Sequence, residues 1–189
     1  MAEQLDARIQ KSQAALLRAG MYLLSKNQEA SLSDIAREAE VGRSTLYRLY
    51  DTKEQLVKAI AIHCLQVFDA ATSHIEVEAE SGLHAFHLMF KALLPLSAEM
   101  EFLMKVGRLE EDDPELLAIY QQQADEIRKL VEYAMAEGSL SNEIPVDWVV
   151  SLVDGLFYTS WISRRQMPMD HDALADLAFQ TFCHGVKHR

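Results

Sequence analysis

Apolar residues recur every three to four positions along almost the whole chain, which is the spacing of amphipathic helices. The first such segment runs from Leu5 to Lys26, and a longer one extends from Thr52 to Ala71. No segment shows the strict alternation of apolar and polar residues that marks a half-buried strand. The pattern therefore predicts an all-α fold. Helices are expected over residues 5–26, 31–39, 43–49, 52–71, 83–94, 95–106, 114–136, 146–164 and 171–187.

Several of these helices carry recognisable start signals. Ser31 stands three residues before Asp34, and Thr52 stands three residues before Gln55, so each pair is spaced as a capping box. Proline is tolerated at the start of a helix because the N–H that it lacks would have no partner there. It occupies three of the predicted starts, at Pro95, Pro114 and Pro145.

Composition narrows the class of protein. The chain has 189 residues, 49% of them hydrophobic and 25% charged, which is enough to bury one compact domain or two small ones. Only 7 glycines and 4 prolines supply turns, which argues against a β-sandwich or barrel. Two cysteines, Cys64 and Cys183, cannot build a disulfide scaffold or a four-cysteine zinc site. We expect both to serve as small, buried hydrophobic residues. With no secretory signal and no run of ~18 apolar residues, we expect a cytoplasmic protein without a membrane partner.

Charge is distributed unevenly along the chain. Residues 1–60 contain 9 Lys and Arg against 8 Asp and Glu, a net charge of +1. Residues 61–189 contain 9 basic and 21 acidic residues, a net charge of -12, so the whole chain carries -11. Only the first segment can approach a phosphate backbone without strong repulsion. We expect the acidic run at residues 110–113 to be a solvated loop before Pro114.

The most informative segment is residues 32–56, LSDIAREAEVGRSTLYRLYDTKEQL. Two short helices joined by a tight turn form a helix-turn-helix, and Ala36 and Ala39 allow the helices to approach closely. With Leu46 facing inward, the second helix presents polar, donor-rich side chains outward. A helix of this kind fits the major groove of duplex DNA. The outward residues are Arg43, Ser44, Thr45, Tyr47 and Arg48.

This segment resembles the DNA-binding domain of the TetR (tetracycline-repressor-like) family of transcriptional regulators. The shared positions are Ile35-Ala36, Ala39, Val41, Thr45-Leu46-Tyr47, Tyr50, Lys53 and Leu56. The resemblance implies an N-terminal three-helix helix-turn-helix domain over residues 1–54. A long helix would join it to a C-terminal helical bundle, residues 55–189, that binds a small-molecule effector and dimerises.

The resemblance also implies roles for individual residues. Thr45 and Tyr47 are expected to contact phosphates, and Lys53 to anchor the DNA backbone at the start of the following helix. Tyr50 is expected to be a core aromatic. Arginine at a base-reading position favours guanine. The variable positions that read bases in the family are occupied here by Arg43, Ser44 and Arg48.

Two residues depart from the family pattern. Glu40 stands where the family usually has glycine in the turn, and Gly42 follows Val41 where serine is common. We therefore expect the flexible residue of the turn to have moved two places, to Gly42.

The acidic remainder of the chain supplies candidates for an effector pocket and a dimer interface. Methionine and aromatic side chains suit an adaptable apolar pocket, although each is equally typical of a bundle core. The pocket candidates are Phe86, Met89, Phe90, Met100, Met104, Tyr120, Trp148, Phe157 and Trp161. The resemblance implies that the last two helices pair with their two-fold mates in a homodimer. The interface candidates are Val149, Leu152, Val153, Leu156, Leu174, Leu177 and Phe182.

These observations favour a ligand-responsive regulator, a repressor that binds a pseudo-palindromic DNA operator as a homodimer. The alternative is a helical protein-interaction module that does not bind DNA. An enzyme is not expected, because no phosphate-binding glycine loop, nucleophile elbow or zinc-protease motif occurs. His84 and His87 lie three residues apart without further ligands, so we predict no metal and no cofactor.

Overall fold

The computed structural model of the chain is all-α and describes residues 2–106, 113–164 and 166–186. Residues 110–112 of the predicted loop at 110–113 therefore lie outside the described residues, as does Lys187 at the end of the last predicted helix. The described residues form no sheet. The helices are α1 (Ala2–Lys26), α2 (Leu32–Glu38), α3 (Arg43–Leu49), α4 (Lys53–Thr72), α5 (Ile75–Glu78), α6 (Gly82–Leu93), α7 (Ser97–Val106), α8 (Pro114–Ala136), α9 (Val146–Ser163) and α10 (His171–Val186).

Most predicted helices are confirmed within one to three residues, and two details differ. The one-turn helix α5 was not predicted, because four residues are too few to show a helical period. Pro95 does not start a helix: it lies in the turn after Leu93, and α7 begins at Ser97. Pro114 is the first residue of α8, and Pro145 is the N-cap of α9, as expected.

The chain forms two compact units. The first unit comprises Met1–Gln66 and Ala98–Leu116, and the second comprises Val67–Ser97 and Leu117–Arg189. The division between residues 54 and 55 that we expected from the sequence stays a prediction.

The core of the first unit gathers around the apolar side of α4. Leu56, Ile60 and Cys64 are completely buried, together with Leu16 of α1 and Ile35 of α2. Gly20 of α1 allows close packing, because a Cβ there would lie 2.6 Å from the Ile60 Cδ1 atom.

One stretch of the described residues, Lys53–Glu78, is long and apolar enough to cross a membrane by length and composition, a test that soluble core helices also pass.

The core of the second unit is an aromatic cluster. The Phe86 and Phe182 rings lie 4.7 Å apart between centroids, and the Phe90 and Phe157 rings lie 4.9 Å apart. These rings join α6 to α9 and α10. Buried aromatic pairs of this kind contribute about 0.5–1.5 kcal/mol each beyond the area that they bury.

Candidate DNA-binding surface

A capping box fixes the start of α2. The Asp34 amide donates to the Ser31 hydroxyl oxygen at 3.2 Å, and the Ser31 amide donates to the Asp34 carboxylate at 3.1 Å. The Ser31 hydroxyl also donates to this carboxylate, at 2.6 Å, and the Arg37 guanidinium lies 2.6 Å from it. The hydroxyl and amide of Ser31, with Arg37, hold the pKa of the Asp34 carboxyl below its usual value. The cap predicted from the sequence is confirmed.

The turn between α2 and α3 is a Schellman motif. The Val41 amide donates to the Ala36 carbonyl at 2.9 Å, and the Glu40 amide donates to the Arg37 carbonyl at 3.2 Å. A Schellman motif needs a residue in the left-handed conformation directly after the C-cap of the helix. Glu40 is that residue, with φ 54°. Our expectation for Gly42 was wrong: it is extended, with φ −61° and ψ 141°, and serves as the N-cap of α3. The flexible position has not moved, and glutamate occupies it.

Helix α3 separates a buried anchor from an exposed polar face. Leu46 is completely buried, which holds the helix against the first unit. Tyr47 is 48% exposed. Thr45 is half-buried, and the other predicted contact residues are exposed: Arg43, Ser44 and Arg48. The structure therefore brings five of the predicted DNA contacts together on one short helix.

The two tyrosines after Leu46 have opposite environments. Tyr50 is 6% exposed, and burial raises the pKa of its phenol. Tyr50 is thus a core aromatic, as expected, whereas Tyr47 presents a hydroxyl donor to solvent. A phenolic hydroxyl in that position can donate to a phosphate oxygen.

Lys53 is the first residue of α4. The Gln55 amide donates to the Thr52 hydroxyl oxygen at 3.2 Å, which caps the helix as predicted. The Gln55 side chain, however, accepts from the Asp51 amide at 2.8 Å and not from Thr52. The Lys53 ammonium donates to the Gln28 backbone carbonyl. A cation at the positive end of a helix dipole suits an anionic DNA backbone.

The predicted pocket residues have diverse surroundings. Phe86, Met89, Phe90 and Phe157 belong to the core of the second unit, whereas Trp148 is 66% exposed. Tyr120 and Trp161 are half-buried in the second unit. Met100 and Met104 belong to the first unit. Their role as effector contacts stays a prediction.

The interface candidates also divide by burial. Val149, Val153, Leu156, Leu174 and Phe182 are buried within a single chain and therefore form core, with little or no surface for a partner. Leu152 is half-buried and Leu177 is 41% exposed.

Helix α9 also carries exposed residues that were not among the interface candidates: the sequence placed Trp148 among the pocket candidates and did not single out Tyr158. Trp148 is 66% exposed, Tyr158 is 51% exposed, and a Cβ added at Gly155 would meet no atom within 4 Å. Their spacing of three to seven residues was the available signal, because it places them on one side of the helix.

Other candidate chemistry has structural explanations. Within the described residues, no group of three or more metal-ligating side chains occurs. His84 accepts from the Glu80 amide at 3.2 Å, and the His87 ring lies 2.7 Å from Asp176. Burial raises the pKa of the Cys64 thiol to about 12, so it is inert as a nucleophile at neutral pH.

The fold and the exposed face of α3 define a helix-turn-helix DNA-binding protein. Residues 16–60 match the model of a family described as bacterial regulatory proteins of the tetR family. The HTH-type transcriptional repressor LfrR of Mycolicibacterium smegmatis is 28% identical over 139 residues, which cover 74% of this chain and 71% of LfrR. Residues 16–60 therefore resemble the helix-turn-helix segment of tetR-family regulators, and the chain is similar over most of its length to a repressor of this type.

Solved structures share the fold. The TetR-like regulator LfrR from Mycobacterium smegmatis, in complex with proflavine, has a TM-score of 0.78 and 23% identity, covering 97% of this chain and 99% of LfrR. The ketosteroid transcriptional regulator KstR2 of Mycobacterium tuberculosis has a TM-score of 0.78 and 17% identity, covering 94% of this chain and 95% of KstR2.

Proposed function

We propose that the protein is a cytoplasmic repressor that binds a pseudo-palindromic DNA operator as a homodimer and leaves it when an effector binds. The observation that supports this most strongly is helix α3, where buried Leu46 fixes the helix and a row of hydrogen-bond donors faces solvent. Arg43, Ser44 and Arg48 would read base edges, because arginine pairs with the guanine O6 and N7 atoms. Thr45, Tyr47 and Lys53 would hold phosphates.

The dimer is required by the way DNA is read. Two recognition helices must enter successive major grooves about 34–36 Å apart, which a two-fold symmetric dimer achieves. The exposed face of α9 supports such a dimer, because it combines Trp148 and Tyr158 with Gly155. At an exposed position inside a helix, glycine is about 1 kcal/mol less stable than alanine. Close approach of a partner helix at Gly155 would explain why glycine occupies this position.

We place the effector in the second unit and propose a planar aromatic cation as its chemical class. The proflavine complex of LfrR supports this choice, since proflavine is a flat aromatic cation. The 21 acidic residues after position 60, against 9 basic ones, favour a cation over an anion. Effector and DNA would oppose each other through one conformational equilibrium. A coupling of about 1–3 kcal/mol changes DNA affinity about 5–150-fold.

The first experiment is selection from random duplex DNA, followed by sequencing. We expect the wild-type protein to enrich an inverted repeat, and the Arg43→Ala, Tyr47→Ala double variant to enrich none. Lys129→Ala is a charge-matched control, since Lys129 is exposed on α8 in the second unit. It should select the same repeat as wild type.

Salt dependence separates DNA binding from the interaction-module alternative. Phosphate contacts release counterions, so affinity for the selected duplex should fall steeply between 50 and 200 mM salt. A folded dimer that enriches no sequence at low salt would favour the protein-interaction module.

The effector class is tested with proflavine as the probe. Because a planar cation also binds duplex DNA directly, its binding to the protein is first measured without DNA, by calorimetry. Release of the selected duplex is then measured beside an unrelated DNA-binding protein on its own site. Saturable binding and selective release support the proposal. A protein that binds a fatty acid or steroid instead would overturn the cationic class but not the regulator.

A further inference from the structure

The turn between α1 and α2 is hydrogen-bonded to two other parts of the first unit, the start of α4 and the end of α7. The Lys53 ammonium, at the start of α4, donates to the Gln28 backbone carbonyl. The Gln28 side-chain amide donates to the Lys105 backbone carbonyl, in the last turn of α7. Gln28 therefore contacts both the predicted phosphate anchor and the end of a helix 77 residues further along the chain.

Lys105 fastens the same end of α7 to α1. Its ammonium donates to the Ser25 carbonyl in the last turn of α1 and lies 2.7 Å from the Glu101 carboxylate one turn earlier. Carbonyls in the last turn of a helix have no intrahelical partner. The Lys105 ammonium therefore supplies a donor to the Ser25 carbonyl, and its positive charge interacts favourably with the negative end of the α1 dipole. The last turn of α7 thus makes two contacts to the end of α1 and the following turn.

We infer that Gln28 is a positioning residue that ties the last turn of α7 to Lys53 and holds the Lys53 ammonium ready for a DNA phosphate. The inference rests on the proposed DNA-binding function. An ammonium has three donors, so Lys53 can keep its bond to the Gln28 carbonyl and still donate to a phosphate oxygen. Holding a long lysine side chain in advance lowers the entropy lost when it contacts DNA. A shift of α7 would reach Lys53 through the Gln28 amide.

The test is a double-mutant cycle on affinity for the selected duplex. Gln28→Met keeps the length of the side chain, removes the amide donor and leaves the backbone carbonyl. We expect it to weaken binding roughly three- to ten-fold. Lys53→Ala should weaken binding to all sequences and lower the salt slope by about 1. In the Lys53→Ala background, Gln28→Met should have no further effect, because it acts only through Lys53. Gln10→Ala, at an exposed position of α1, is the control.

A measurement without DNA tests the tether by itself. Gln28→Met should speed hydrogen exchange of the amides in residues 27–31 of the free protein, and Gln10→Ala should not. Faster exchange with unchanged DNA affinity would overturn the positioning role while leaving the regulator intact. An equal loss of affinity in both backgrounds would overturn it too. A wild-type protein that selects no duplex would overturn the proposed function and, with it, the anchor role of Lys53.

Discussion

Glu40 occupies a backbone conformation that favours glycine, and its replacement by glycine should stabilise the protein. The chain contains its own reference for this comparison. Helix α8 ends in the same motif, with the Ser139 amide bonded to the Ala134 carbonyl at 2.9 Å, and there the left-handed residue is Gly138, with φ 83°. The two motifs differ in the residue at the left-handed position, glutamate after α2 and glycine after α8.

The size of the effect follows from two opposing terms. The left-handed conformation costs a residue with a Cβ roughly 1–2 kcal/mol. Glycine avoids that cost but loses about 0.5–1 kcal/mol more chain entropy on folding. The Glu40 side chain is exposed, so its removal creates no cavity. Glu40→Gly should therefore raise the free energy of unfolding by about 0.5–1 kcal/mol, or the Tm by roughly 1–4 °C.

The assay is urea unfolding followed by circular dichroism, at one protein concentration for all variants. Glu40→Gly should raise the midpoint without changing the m-value. Gly138→Ala should lower it, because it introduces the strain that Glu40→Gly removes. Glu38→Gly, in the last turn of α2, should also lower it, by about 1 kcal/mol. If Glu40→Gly lowered the midpoint while Gly138→Ala behaved as expected, the reasoning about the turn would be wrong.

Three further predictions concern the second unit. Gly155→Ala should stabilise an isolated chain by about 1 kcal/mol but weaken the dimer in sedimentation, and an unchanged dimer would place Gly155 outside the interface. Gly82→Ala should destabilise the protein by about 1–3 kcal/mol in urea, because its Cβ would lie 2.8 Å from the Ala134 Cα atom. The His87 hydrogen bond lowers the pKa of Asp176 from 3.8, so the stability that it contributes is lost as the pH falls below that value. Asp176→Asn should flatten the acid limb of a stability profile, and an unchanged limb would contradict this.

The parts of the fold that could be predicted are those fixed by neighbours in the sequence. The bounds of α3 are reproduced without error, because Leu46 and the preceding turn determine both where the helix begins and which side it buries. The capping box of Ser31 and Asp34 depends on residues three positions apart. The exposure of Tyr47 and the burial of Tyr50 followed from the same short segment.

Predictions that depend on distant neighbours were less complete. Hydrophobic spacing shows that Val149 and Phe182 each lie on the apolar side of a predicted helix. It does not show which other helix covers that side. In the structure the two side chains are buried within a single chain, and Phe182 packs against Phe86 almost a hundred residues earlier. The residues left exposed on α9, including Trp148, were not among the interface candidates because periodicity does not distinguish a core stripe from a second apolar face.

The DNA-binding surface shows the same division. Helix α3 has seven residues, too few to be stable alone, so its orientation depends on tertiary contacts that a motif does not describe. Lys53 was predicted from its place in the motif, yet its ammonium is held by a carbonyl 25 residues earlier, and that residue is held by α7. If the Gln28 contacts position Lys53 as we infer, then the strength of DNA binding depends on residues outside the recognisable motif. Regulators with the same recognition helix would then differ in affinity according to what holds their anchoring lysine.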